Sequence, residues 1–192
     1  MSFFLFLASA SPRRAQLLEQ IKVNYQVFPQ DNDETFHTNE NVINFVQRLA
    51  KEKAEQGRKT IARNTDQPVL GADTIVTLEQ HVLGKPKDFE QAVSMLKLLA
   101  GKTHQVMTAI HLCNDTKSYS AINVSDVVFR DISDNEIYDY CKTGEPMDKA
   151  GSYAIQGLGA QFIANINGSY SGIMGLPLFE TSQLIDKYKS IG

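Results

Sequence analysis

The chain opens with an apolar run that passes directly into a polar loop and a helix. Residues 3–8 are all apolar, which is typical of a strand covered on both faces. Ser11 followed by Pro12 predicts a helix N-cap with proline at the first helical position. The amide groups and positive dipole end of this helix would face a loop that favours phosphate. The polar side chains expected to contact the anion are Ser9, Arg13 and Arg14. The alternative is an ordinary cap with two solvated arginines.

Composition narrows the class of protein. The chain has 192 residues, enough for one domain with a sizeable core. Its formal net charge of -3 argues against nucleic acid as a partner, because such partners select a strongly basic face. Neither a basic leader nor an apolar run of about 20 residues is found, so we expect a cytoplasmic protein without a membrane partner. Cys113 and Cys141 lack a metal-ligand spacing and are expected to be incidental thiols.

A lysine interrupts the apolar stripe of the second predicted helix. The pattern predicts this helix over residues 41–56, with Gly57 placed to end it. Extending the helical spacing of the apolar residues from Leu49 onward leads to Lys53, which therefore lies on the inward face. Its ammonium would then meet a buried anion, unless the stem snorkels to the edge of the core.

An aspartate lies within a predicted core strand. Residues 68–78 have the apolar character of a buried strand, interrupted by Gly71 and Asp73. Because an unpaired buried carboxylate costs several kcal/mol, Asp73 should have a cation, a donor network or a raised pKa. The structural alternative is a carboxylate that accepts hydrogen bonds from neighbouring backbone N–H groups.

The remaining segments predict a mixed α/β fold. Turn and capping signals delimit further elements: a short hairpin leading into Gly84-Lys85-Pro86, a helix from Asp88 to Gly101, a long hairpin over residues 103–113 and 118–129, a helix opened by a Ser133–Glu136 capping box, a glycine-rich segment over 148–159, a strand over 160–166 and a final amphipathic helix. Neither a dinucleotide fingerprint nor a P-loop occurs. His104, within a β-run, is interpreted as structural rather than as a base.

The polar groups in unexpected places suggest a phosphate site with a metal. The group that would contact phosphate comprises Ser9, Arg13, Arg14, Lys53 and Lys85, and the acids are Glu34 and Asp73. Carboxylates in the same cavity would repel a polyphosphate unless a hard divalent cation lay between them. We therefore expect Mg²⁺, Mn²⁺ or Co²⁺ on Glu34 and Asp73, a bound water of lowered pKa, and Asp73 as its base.

Several motifs resemble the Maf family of nucleoside triphosphate pyrophosphatases, and the resemblance covers essentially the whole chain. The motifs are Ser9-Ala10-Ser11-Pro12-Arg13-Arg14, Arg48-Leu49-Ala50-Lys51-Glu52-Lys53-Ala54, Gly71-Ala72-Asp73-Thr74, Gly84-Lys85-Pro86, Thr103-His104-Gln105-Val106, Asp148-Lys149-Ala150-Gly151 and Ile155-Gln156-Gly157. One difference is Ala10, at a position where glycine is also common in the family. The difference puts little in doubt, because alanine is small enough for that turn.

The resemblance implies a fold, a reaction and site roles. The fold would be an elongated mixed α/β domain over residues 1–192, with two lobes around a nucleotide cleft, related to inosine triphosphate pyrophosphatases. The reaction would convert a nucleoside triphosphate and water into the monophosphate and pyrophosphate. Asp73 would be the proton acceptor, and Arg13, Thr74 and Gln156 would set base preference. A homodimer is also implied.

Two of these positions indicate the branch of the family. Gly-Ala-Asp-Thr and Ile-Gln-Gly resemble the branch acting on dTTP and UTP, whereas the 7-methyl-GTP branch carries Ser-Asp-Gln and Ser-Glu-Gly there. The Gln156 amide both donates and accepts toward a pyrimidine imide edge, while a carboxylate would suit a methylated guanine better. The alternatives are a pyrophosphatase for 7-methyl-GTP or another non-standard nucleotide, and a nucleotide-binding regulator of septum formation.

Overall fold

A computed structural model of the protein describes residues 3–30, 34–38, 40–61, 65–79 and 81–190. Within these ranges the strands are β1 (Phe4–Ala8), β2 (Asn24–Val27), β3 (Val69–Leu78), β4 (His81–Leu83), β5 (Thr103–Cys113), β6 (Ser118–Phe129) and β7 (Ile163–Asn167). The α-helices there are α1 (Pro12–Gln20), α2 (Val42–Thr60), α3 (Phe89–Leu99), α4 (Asp134–Lys142), α5 (Tyr170–Met174) and α6 (Leu178–Ser190). None of these helices has the length and apolar character needed to cross a membrane.

The strands form one mixed sheet. Their order is β2-β1-β3-β5-β6-β7, and β4 pairs with β3. The pairs β1–β2 and β1–β3 are parallel, whereas β3–β4 and β6–β7 are antiparallel. The predicted mixed α/β class is therefore confirmed, as is the long hairpin, since β5 and β6 have the predicted bounds.

The described residues divide into two compact units. The first unit takes its residues from 1–73, 108–123 and 175–192, and the second from 74–107 and 124–174. Strands β3, β5 and β6 contribute residues to both. The two units are described separately below.

In the first unit, helix α2 packs closely on the parallel strands. Leu5 and Leu7 of β1 are fully buried, as expected of a strand covered on both faces. A Cβ atom at Gly71 of β3 would lie 2.2 Å from the carbonyl oxygen of Ala50 in α2. Since only a hydrogen fits at that distance, glycine permits the helix backbone to approach the strand.

The end of α2 differs from the prediction. The helix continues through Gly57 to Thr60, so the expected stop at Gly57 is wrong. A Cβ atom at Gly57 would lie 3.0 Å from Val69 Cγ1 and 3.4 Å from Ala8 Cβ. Close packing on β1 and β3 thus accounts for this glycine. At its other end, α2 is capped by the Asn41 side chain, which accepts from the Asn44 N–H at 2.8 Å.

The second unit is built around an aromatic core with well-capped helices. Phe129 and Phe162 are among its fully buried side chains. Asp88 caps α3, and Ser133 with Glu136 forms the predicted capping box of α4. The strand predicted over 160–166 begins later, because Leu158–Phe162 forms a 3-10 helix that precedes β7.

Candidate active site

Two predicted acidic site residues, Glu34 and Asp73, contact the ammonium group of Lys53 in the first unit. Lys53 Nζ lies 2.6 Å from Asp73 Oδ1 and 2.7 Å from Glu34 Oε1. The Lys53 side chain is 12% exposed and the Asp73 side chain 9%, whereas that of Glu34 is 58% exposed. The arrangement is therefore a buried ion pair with a second carboxylate at the solvent side. The pairing of Lys53 with a buried anion is confirmed.

The sequence around each group explains this geometry. Lys53 lies one helical turn beyond Leu49, on the buried side of α2 with Ala50 and Ala54. Asp73 follows Gly71 and Ala72 in β3, the segment on which α2 packs. Close contact between helix and strand thus places the lysine stem along apolar surface, with its charge at the carboxylate.

Burial and charge act on Asp73 in opposite directions. Desolvation raises the pKa of Asp73, and the charges of Lys53 and Arg14 partly offset that rise. The net pKa lies above the ordinary aspartate value. A carboxylate with a raised pKa beside a cation is a stronger proton acceptor than a solvated one, and such groups occur frequently at reactive sites.

The loop after β1 is organised by a hydroxyl and a guanidinium. Ser9 Oγ accepts from Arg14 Nη1 at 2.9 Å and from the Ser11 N–H at 3.2 Å. Arg14 Nε donates to the Gly175 carbonyl at 2.8 Å. Ser9 is buried, with 7% exposure. Arg14 is therefore fixed in place by the loop and is near enough to influence the Asp73 charge.

Helix α1 begins at this loop, as predicted. Ser11 is the N-cap and Pro12 the first helical residue, although the Ser11 side chain makes no capping hydrogen bond. The first turn, which is fully described, carries no acidic residue. The positive end of the helix dipole is thus left without a negative side chain of its own, which favours an external anion. Arg13 is half-buried in that first turn.

The other predicted site residues belong to the second unit. Lys85 is exposed and follows β4, and Thr74 is half-buried in β3 directly after Asp73. Gln156 is exposed at a turn that the Gly157 N–H closes on the Ala154 carbonyl at 3.3 Å. The roles of all three remain predictions.

Two contacts in these regions have no counterpart in the sequence analysis. The Gly175 carbonyl holds Arg14 from 161 positions away along the chain, which no local pattern reveals. Glu145 accepts hydrogen bonds from the Leu158 and Gly159 N–H groups, just beyond Gln156. The glycines of the segment 148–159 are the one available signal, since the absence of a Cβ atom at Gly157 leaves space that the Glu145 side chain fills.

The residues expected to bind a metal already surround a positive charge. In the part of the chain that the structure describes, no group of three or more His, Cys, Asp or Glu side chains could hold a metal ion. Glu34 and Asp73 nevertheless each direct one oxygen at the Lys53 ammonium. Oxygen donors that converge on one cation are compatible with Mg²⁺ or Mn²⁺.

The mixed α/β sheet, the helix start without acidic side chains and the buried Lys53–Asp73 pair are compatible with a protein that binds phosphate groups. The family model described as Maf-like protein matches residues 4–188. The chain therefore belongs to the Maf family, and the resemblance seen in the motifs is confirmed.

Relatives with assigned activities match nearly the full chain. The dTTP/UTP pyrophosphatase of Saccharophagus degradans is 49% identical over 186 residues, which cover 96% of this chain and 89% of that protein. The dTTP/UTP pyrophosphatase of Pseudoalteromonas atlantica is 48% identical, with 95% and 96% covered, and that of Escherichia coli O157:H7 is 46% identical, with 97% and 94% covered. Among solved structures, the Staphylococcus aureus Ham1 protein aligns at a TM-score of 0.47 and 14% identity, covering 83% of this chain and 93% of that one.

Proposed function

We propose that this protein hydrolyses dTTP and UTP to the nucleoside monophosphate and pyrophosphate. The observation that carries the proposal is Asp73, a buried carboxylate of raised pKa paired with Lys53 in the Gly-Ala-Asp-Thr segment. Support comes from three relatives that are 46–49% identical and are named dTTP/UTP pyrophosphatase. Such an enzyme acts on the cytoplasmic nucleotide pool and needs neither a nucleic-acid nor a membrane partner.

Binding of the triphosphate is assigned to the basic groups. The α1 N-terminus supplies backbone amides and a positive dipole end, while Arg13 and Arg14 supply guanidinium groups suited to paired phosphate oxygens. Ser9, which already orients Arg14, adds a hydroxyl. Lys53 contributes a point charge, and the family resemblance implies the same role for Lys85.

Asp73 is the proton acceptor in this proposal. The water oxygen forms a bond to the α-phosphorus, the bond between that phosphorus and the oxygen bridging to the β-phosphorus breaks, and pyrophosphate leaves with the bonding electrons and the bridging oxygen. The proton lost by the water passes to an oxygen of Asp73. Lys53 stabilises the carboxylate before the transfer, so that a base is present near neutral pH despite burial.

Glu34 and Asp73 are the residues that would hold a divalent cation such as Mg²⁺, Mn²⁺ or Co²⁺. Their oxygens both contact the Lys53 ammonium, and so the pair already accommodates a positive charge. When bound, the ion would neutralise phosphate charge and lower the pKa of a coordinated water. Lys53 then remains available to contact phosphate.

Choice of base is assigned to Arg13, Thr74 and Gln156. The exposed Gln156 amide can donate to a carbonyl and accept from an imide N–H, the two groups on the edge of thymine and uracil. Cytosine presents a different order of donors and acceptors, and a site built for one order rejects the other strongly. The homodimer implied by the family resemblance stays a prediction that sedimentation would test.

A substrate panel tests the proposal. Canonical triphosphates and 7-methyl-GTP are incubated with the protein and Mg²⁺ or Mn²⁺, and pyrophosphate and orthophosphate are measured separately. We expect pyrophosphate as first product, with dTTP and UTP preferred. Orthophosphate as first product would contradict the assigned bond, and 7-methyl-GTP as best substrate would contradict the assigned base. Nucleotide binding without turnover would favour a regulatory protein instead.

A single exchange tests the reader of the base. Gln156→Glu should lower turnover of dTTP and UTP relative to 7-methyl-GTP, because a carboxylate cannot donate to a pyrimidine carbonyl. An unchanged ratio would exclude Gln156 as a base-reading residue.

A further inference from the structure

The turn that carries Gln156 is anchored by one carboxylate. Glu145 Oε2 accepts from the Leu158 N–H at 3.0 Å, and Glu145 Oε1 accepts from the Gly159 N–H, also at 3.0 Å. Oε1 also accepts from the Tyr140 hydroxyl at 2.7 Å. One side chain therefore ties the C-terminal end of α4 to backbone two and three residues beyond Gln156.

Space for this anchor is provided by a missing side chain. A Cβ atom at Gly157 would lie 2.3 Å from Glu145 Oε2, well inside contact distance. On the other side of the turn, Ala154 and Ile155 are buried at 4% and 8% exposure. Gln156 is therefore exposed between the buried residues Ala154 and Ile155 on one side and the backbone N–H groups held by Glu145 on the other.

The hydrogen bonds suit the ionised form of the anchor. Burial by itself would raise the pKa of Glu145, but the bonds from the Leu158 N–H, the Tyr140 hydroxyl and the Gly159 N–H more than offset it and lower the pKa below its ordinary value. A carboxylate accepts all three bonds, whereas a carboxamide would present N–H donors to other donors.

We propose that Glu145 is a positioning residue for base selection, which orients Gln156 by holding the Leu158 and Gly159 backbone. The inference rests on the proposed function, in which Gln156 reads the base. Glu145 acts through the turn and touches neither substrate nor reacting atoms. Because hydrogen-bond discrimination depends on sub-ångström placement, loosening the turn should reduce selectivity more than it reduces turnover.

Glu145→Gln is the first variant, with Glu136→Gln as its matched control. Glu136 lies in α4 of the same unit and accepts from Arg130 and Ser133, so its loss also removes carboxylate hydrogen bonds. We expect Glu145→Gln to lower the ratio of kcat/KM for dTTP to that for dCTP about tenfold. Glu136→Gln should leave this ratio unchanged, even if it lowers the midpoint temperature of thermal unfolding.

Amide hydrogen exchange reports the anchor without any substrate. The Leu158 and Gly159 amides should exchange faster in Glu145→Gln and at the wild-type rate in Glu136→Gln. Unchanged exchange at both amides would overturn the anchoring role. Faster exchange with an unchanged dTTP-to-dCTP ratio would overturn the role in selection. Tyr140→Phe, which removes only the hydroxyl bond, offers a milder second variant expected to shift both readouts in the same direction.

A double substitution separates this inference from the proposed function. In a Gln156→Ala background, Glu145→Gln should change the dTTP-to-dCTP ratio no further, because its effect passes through the missing amide. A full additional loss would show that Glu145 acts by another route and overturn the inference alone. If Gln156→Ala itself left the ratio unchanged, the base-reading role of Gln156 would be wrong, and the inference that rests on it would be wrong too. The hydrogen-exchange data would still test whether Glu145 holds the Leu158 and Gly159 backbone.

Discussion

Each unit contains a buried ionisable group with a polar partner, Asp73 with Lys53 in the first unit and His104 with Tyr153 in the second, and the two pairs are constructed in opposite ways. Asp73 and His104 are both buried. Asp73 contacts the Lys53 ammonium, which also contacts the largely exposed Glu34. His104 Nε2 lies 2.8 Å from the Tyr153 hydroxyl, and its ring packs edge-on against Phe129.

The two environments shift the pKa values of these groups in different ways. Burial lowers the pKa of His104 to about 4, with no charge to oppose it, so the ring is neutral near pH 7. Burial also raises the pKa of Asp73, but the charges of Lys53 and Arg14 oppose that rise. The neutral ring of His104 is suited to a structural role, whereas a buried carboxylate with an ionic partner and an exposed acid beside it is suited to chemistry.

The largest expected effect tests the charged pair. Lys53→Met removes the cation beside Asp73 and should lower kcat/KM for dTTP by about 10²- to 10³-fold. It should also move the acid limb of the pH–rate profile to higher pH, because the charge that opposes the raised pKa of Asp73 is lost. Lys51→Met is the control: Lys51 lies on the same helix, is 55% exposed and pairs only loosely with Glu55, at 3.7 Å. Equal losses in both variants would contradict a specific role for Lys53.

The packing that brings Lys53 to Asp73 can be broken at Gly71. Gly71→Ala places a methyl group against the Ala50 carbonyl and should cost about 3 kcal/mol of unfolding free energy. Gly84→Ala is the control, since a Cβ there meets nothing within 4 Å, and a change of about 0.5 kcal/mol or less is expected. Denaturant unfolding measures both, and comparable values would show that α2 tolerates displacement from β3.

Acid should destabilise the protein through His104. Because the folded-state pKa is about 4 and the ordinary histidine value is 6.5, the unfolded chain binds more protons between these pH values. Stability is therefore complete above pH 6.5 and is lost as the pH falls toward 4, by about 2 kcal/mol between pH 7 and pH 5. His104→Gln should remove this part of the slope, and exchange of the exposed His81 for Gln should not. A slope that survives in His104→Gln would refute the assignment.

The smallest expected effect concerns the capping box of α4, which we expect to affect stability and not activity. Ser133→Ala removes the side-chain bond to the Glu136 N–H and should cost about 1 kcal/mol, with kcat/KM for dTTP unchanged. Thermal unfolding and the pyrophosphate assay together measure it. A loss of activity at temperatures where the variant is folded would contradict a purely structural role for the capping box.

Local signals predicted most of the fold. The capping box at Ser133 and the Asp88 cap follow from short-range chemistry, and the bounds of β5 and β6 follow from β-rich runs joined by turn residues; all are confirmed. The Gly57 prediction failed because a glycine can serve a helix end or a close approach, and only the packing partner decides which. Strand β7 begins three residues after the predicted start, because residues 158–162 form a 3-10 helix whose first N–H group donates to Glu145.

The candidate site was predictable where burial conflicted with charge. Lys53 on an apolar helix face and Asp73 in a core strand each required a partner, and each supplies the other's. The Glu34–Lys53 contact was not predicted, because an exposed acid in a loop gives no periodic signal. The Arg14–Gly175 bond joins segments too far apart in sequence for any spacing rule.

The most direct test measures the pKa of Asp73 itself. Carboxyl-carbon NMR titrations of the metal-free protein, in the wild type and in Lys53→Gln, report it without substrate. We predict a wild-type pKa above the ordinary aspartate value and a further rise in Lys53→Gln, because the opposing ammonium charge is gone. A pKa at or below the ordinary value, or one that Lys53→Gln leaves in place, would contradict the claim that this pair forms the reactive centre.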